Sequence, residues 1–136
     1  MRYANVVKLL IDWLREEVSA NPSLEGVAVA DRVPPGWTIE AGPLLVIRRS
    51  GGVASPPVMD RPRVDFIVRH TDEFNATALA NVVRALVVHE LKGRVLDGHT
   101  VYRVVEFIGP QQYQDPQGNP VPLVMFTEEL TLRVLT

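Results

Sequence analysis

Two carboxylates and two guanidiniums fall within six residues at Asp60-Arg61-Pro62-Arg63-Val64-Asp65. A general acid and base need two carboxyl groups that face one substrate, and Asp60 and Asp65 are the pair to consider. Along an extended chain odd and even positions point to opposite faces, so these two diverge. Arg48-Arg49 stands beside Gly51-Gly52 and could cradle a phosphate. A phosphate loop also needs a helix N-terminus directly after its glycines, and residues 53–59 carry no helical pattern. His70, His89 and His99 lie on three different elements with no short ligand spacing, and zero cysteines exclude disulfides and thiolate metal sites. They read as core or rim histidines. Nucleophilic catalysis would need a serine in a Gly-x-Ser-x-Gly turn, whereas Ser19, Ser23, Ser50 and Ser55 stand at helix ends or in loops. These residues call for no enzyme activity, metal or cofactor.

The elements that position the cluster are clearer. Residues 61–70 alternate, with Val64, Phe66 and Val68 on one face and Arg63, Asp65 and Arg69 on the other, interrupted by Ile67. That pattern predicts a half-buried strand. From Asp72 the period changes: Leu79, Val82, Val83, Leu86, Val87 and Leu91 recur at three- and four-residue steps, the stripe of a helix. Thr71 or Asp72 can cap its start and Gly93 can close its end. Upstream, residues 3–20 read as a helix with Tyr3, Val6, Val7, Leu10, Trp13, Leu14 and Val18 inward, ended by Asn21-Pro22. Residues 26–30 and 44–48 are strand candidates, the second apolar enough to be buried on both faces. Between them Trp37, in a proline-rich turn, is either a cover for the core or an interface anchor.

Residues 50–57 read as a mobile loop of glycine, serine and proline. Residues 100–108 alternate again, with both faces partly covered, and residues 109–122 read as a long hairpin tip turning at Asp115-Pro116-Gln117-Gly118-Asn119. The last strand, residues 123–134, turns Val124, Phe126, Leu130, Leu132 and Val134 to one side and Thr127, Glu129, Thr131 and Arg133 to the other. The order predicts a single α+β domain over residues 1–136, with a mostly antiparallel sheet, two helices packed on one face and the other face open to a partner.

Composition sets outer bounds. Hydrophobic residues at 46% and charged residues at 22% describe a folded chain. Its apolar stretches are broken by charge well short of the roughly 20 residues of a membrane span. The N-terminus lacks the apolar block of a signal peptide, which predicts a protein made and kept in a cytoplasm. A net charge of −2 shows no basic excess of the kind that grips nucleic acid through counterion release. The basic residues are mostly arginine, whose planar fork suits interface ion pairs.

The order of these features resembles the tail terminator, or tail completion, proteins of long-tailed bacteriophages. The matching pieces are the first helix with Trp13, the segment Leu45-Val46-Ile47-Arg48-Arg49-Ser50-Gly51-Gly52 followed by Asp60 to Asp65, the long helix over residues 74–91, and the closing Asp115-Pro116-Gln117-Gly118-Asn119 with Phe126 to Arg133. The resemblance covers nearly the whole chain and has no catalytic signature. It implies a structural virion protein, assembled in the host cytoplasm and located at the head–tail junction. Its partners would be itself in a ring, commonly a hexamer, the tail tube protein and the head connector. Genome DNA would pass through without specific binding, and no membrane is involved. A head-closure or neck connector protein is the alternative within virions; a small enzyme or ligand-binding module is the alternative outside them. The expected interface residues are Arg48, Arg49, Arg61, Arg63, Gln111, Gln112 and Tyr113, with residues 50–59 and 109–122 as binding loops that order only against a partner.

Overall fold

The computed structural model describes residues 3–55, 59–115 and 120–135. Two helices, α1 (Val6–Ala20) and α2 (Glu73–Glu90), pack on a sheet of β1 (Ala28–Ala30), β2 (Leu44–Ser55), β3 (Met59–Arg69), β4 (Val95–Leu96), β5 (His99–Tyr113) and β6 (Leu123–Arg133). The sheet order is β1-β2-β3-β6-β5-β4, with β1 parallel to β2 and the other pairs antiparallel. This is the α+β class that the alternating segments and two helical stripes predict. No helix among the described residues is long and apolar enough to cross a membrane.

Each helix starts where a side chain can take an orphan backbone N–H. Asn5 accepts from the Lys8 N–H and Asp72 from the Asn75 N–H. Tyr3 lies before the first helix, exposed, and is not part of its stripe. Asn21 ends α1, and its side chain then caps the short 3-10 turn Pro22–Leu24. The Arg15 guanidinium donates to the Val29 carbonyl at 2.9 and 3.2 Å, fixing α1 to the short parallel strand.

One core lies between helices and sheet. Leu10, Trp13 and Leu14 of α1 and Ala76, Ala80, Val83 and Val87 of α2 close over Ile47, Phe66, Phe126 and Leu130. Phe66 and Phe126 are register partners on β3 and β6, with rings stacked at 4.9 Å between centroids, a pair worth roughly 0.5–1.5 kcal/mol beyond its buried area. A second, smaller cluster forms on the other face from Leu44, Val46, Ile67 and Leu123. The crossover between the parallel strands lays Trp37 against it. Trp37 is therefore a cover. The central strand is buried on both faces, correcting the half-buried expectation: Ile67, Asp65 and Arg69 are all less than 9% exposed.

The first expected loop is largely strand, and the second begins as strand. Residues 50–55 continue β2 and pair with residues 59–63 as far as Ser55 opposite Met59, after a bulge between Arg49 and Gly51. Residues 109–113 continue β5 along β6 as far as Tyr113 opposite Leu123. The turn expected at Pro116-Gln117-Gly118-Asn119, and residues 56–58 of the first loop, lie outside the described residues. Gly and Ser weaken a strand without forbidding it, and ladder pairing decides. Gly52 has a steric reason to be glycine, because a Cβ there would sit 2.1 Å from the Arg61 carbonyl oxygen. Past Val101, β5 is mostly exposed and broken by three register shifts, so its faces are less covered than the alternation suggests. Bulges of this kind blunt an unpaired edge.

Candidate interaction surface

Period-two alternation on three paired strands builds the sheet face opposite the helices, row by row. The rows are Leu44–Arg69–Leu123, Val46–Ile67–Met125, Arg48–Asp65–Thr127 and Gly51–Arg63–Glu129. Trp37 covers part of the apolar end. Beyond it the face becomes a ladder of opposite charges. An Arg48 Nη donates to Asp65 Oδ2 at 3.0 Å, and Thr127 Oγ1 donates to Asp65 Oδ1 at 2.7 Å. Both oxygens of a buried carboxylate are thereby satisfied, as burial demands. One row on, Arg63 Nε donates to Glu129 Oε2 at 3.3 Å, and its guanidinium lies 3.9 Å above the half-exposed Phe107 ring. Such cation–π contact adds about 0.5–1 kcal/mol at an exposed site.

The expected interface residues separate on this frame. Arg48 and Arg63 share the open face, and β5 extends its rows with Gln111 opposite Met125 and Tyr113 opposite Leu123. The Tyr113 hydroxyl donates to Gln111 Oε1 at 3.2 Å. Arg49 and Gln112 occupy alternate positions and belong to the other side. There Arg49 holds the buried Asp60 with two donors, each at 3.3 Å. Arg61 stands opposite Val53 on the outer arm of the β2–β3 hairpin, exposed and without an ionic partner among the described residues. Arg63 finds its carboxylate within its own chain, on Glu129. Asp60 and Asp65 each have their own arginine and do not form an acid/base pair.

Two features were absent from the sequence reading. Arg69 is 8% exposed, meets Asp115 at 3.6 Å, and keeps one buried Nη1 without a hydrogen-bond acceptor among the described residues. It lines two adjoining depressions of about 440 and 170 Å³ on the open face, both shared with Arg48 and Ile67. Under α2, Glu128 is fully buried at the even position between Phe126 and Leu130 and opposite Glu106. Alternation alone puts it on the core face, a legible signal. Burial first, then the Glu106 charge, pushes its carboxyl up to about 8. Arg84 of α2 grips Glu106 with two donors at 2.5 and 2.7 Å and holds that carboxyl below its usual range.

Of the histidines, His99 is buried and donates Nδ1–H to the Arg133 carbonyl at 2.8 Å, while His70 accepts from the Thr71 N–H. No group of three or more His, Asp or Glu side chains among the described residues is arranged to hold a metal. The open face offers charge, planar donors and exposed aromatic edges, which are means of binding a protein.

Residues 2–120 match the family model described as phage tail termination protein. No curated protein matches the chain.

Proposed function

The chain belongs to the phage tail termination proteins, and from that premise we propose that its copies form a ring capping the finished tail tube and joining it to the head connector. A structural role in the phage tail follows from the family itself. The ring, its hexameric order and its two neighbours are the proposal. One observation carries it: the domain keeps one long hairpin arm outside its apolar clusters and, beyond the Trp37 cover, a run of charged rows on the sheet face away from the helices. No described residue from 50 to 63 belongs to either apolar cluster, yet these residues hold a regular ladder. A preformed arm and a ladder of exposed arginines suit contact with neighbouring subunits. Assembly in the host cytoplasm and a final position at the head–tail junction belong to the same reading.

Electron microscopy of particles made with and without this protein is the test. Without it, tails should be abnormal in length or fail to join heads. Tails of normal length that join heads in its absence would overturn the proposal.

A further inference from the structure

We propose that Phe74 of one copy inserts into the arginine-lined trough on the open sheet face of the next copy, making a head-to-tail contact. The proposal rests on the ring reading and names its contact surface. Phe74 is 88% exposed in the first turn of α2, between Glu73 and Asn75 and two residues after the capping Asp72. It lies nine residues before the fully buried Val83, two and a half turns at about 3.6 residues each, and therefore points directly away from the sheet. A phenylalanine held out in this way, beside two acidic side chains, is a knob without a hole in its own chain.

The complementary hole is on the opposite side. Val33, Val46 and Ile67 line a depression of about 440 Å³ together with three guanidiniums, Arg32, Arg48 and Arg69, against two carboxylates, Asp31 and Asp115. Arg69 itself is held in place by Asp115 at 3.6 Å, and its buried Nη1 has no acceptor among the described residues. Arg32 and Arg48 have exposed guanidiniums, with side-chain accessibilities of 79% and 61%, and can reach an incoming carboxylate while keeping their aspartates. Glu73 supplies that carboxylate and Phe74 the ring, which covers the three aliphatic side chains. Knob and hole face away from each other across the sheet, so the contact is heterologous. Repeated contacts of that kind close into a ring when the rotation permits.

The chain has no cysteine, which makes a direct test available. A double variant, Ala78→Cys with Val33→Cys, keeps the Phe74 ring, since Ala78 is exposed one turn further along the same helix face, and it cannot close on itself because the two positions lie on opposite sides of the sheet. On oxidation with copper phenanthroline it should give a ladder of covalent oligomers, both in concentrated protein and on assembled tails. The two single variants mixed together should stop at dimers. No more cross-linked product from the double variant than from either single variant, in both samples, would overturn the contact. Separately, Phe74→Ser should weaken self-association by more than about tenfold in sedimentation while circular dichroism is unchanged. Glu73→Arg should weaken it also, and Arg32→Glu added to it should restore part of the loss. Self-association unaffected by Phe74→Ser rejects this contact and leaves the ring reading intact. Cross-linked ladders from a protein whose removal leaves tails normal would uphold the contact and reject the cap.

Discussion

Glu128 is the residue on which stability turns with pH. Its folded carboxyl titrates at about 8 against an unfolded value of 4.5, so the folded chain binds the extra proton between those values. Stability therefore falls as pH rises through that window, by about 1.4 kcal/mol per unit where the difference is complete and by a few kcal/mol in all. Glu106 has the opposite sign, since Arg84 lowers its carboxyl and that contribution is lost only in acid. The melting temperature should thus be higher near pH 6 than near pH 8.5, and Glu128→Gln should flatten the slope and raise the value at pH 8.5. An unchanged slope in that variant would show that Glu128 is ionised throughout. Arg63 gives a second residue-scale outcome. Charge reversal to Glu sets two carboxylates face to face with Glu129 and removes the Phe107 contact, at a cost of about 1 kcal/mol on a partly exposed site. Thermal melting should drop by only a few degrees while tail joining fails. Normal joining by Arg63→Glu would take that guanidinium out of the interface.

At the scale of elements, hydrophobic period was a sound guide wherever a face is buried by a helix, as for Leu79, Val83 and Val87 or for Phe126 and Leu130. It failed where strands leave the core. Residues 50–53 and 109–113 lack apolar alternation because they lie beyond the apolar clusters, and only backbone pairing reveals residues 50–55 and 109–113 as β. Trp37 and Ile67 were ambiguous for a related reason: a crossover over the second face cannot be read from either segment alone. The hairpin arm then yields its own prediction. Gly52 has φ of +97° and no room for a Cβ beside the Arg61 carbonyl, so Gly52→Ala should loosen the arm without reaching the core. Hydrogen exchange should show lost protection across residues 50–55 and 59–63, with Phe66 and Phe126 still protected. Deleting residues 52–57 should leave the melting temperature within a few degrees and reduce tail joining. Full protection of the arm in Gly52→Ala would mean that the close approach relaxes at no cost.

For the whole molecule, charge decides what could pass through the proposed ring. Twelve of the 14 basic residues are arginine, and among the described residues six of them, Arg32, Arg48, Arg49, Arg63, Arg69 and Arg84, are paired with carboxylates of the same chain. A guanidinium already facing a carboxylate releases few counterions when a phosphate approaches, and the net charge of −2 adds a weak repulsion. DNA moving through a ring built from such subunits would meet little that retains it. Fluorescence anisotropy of a labelled 20-base-pair duplex should therefore show no binding at micromolar protein, even near 50 mM salt, where nonspecific binders gain most. The single subunit and the assembled form should behave alike, because the intrachain ion pairs persist in both. Binding that weakens steeply with salt would mean that several arginines exchange their carboxylates for phosphates, and the surface assigned here to protein contacts would instead hold the genome.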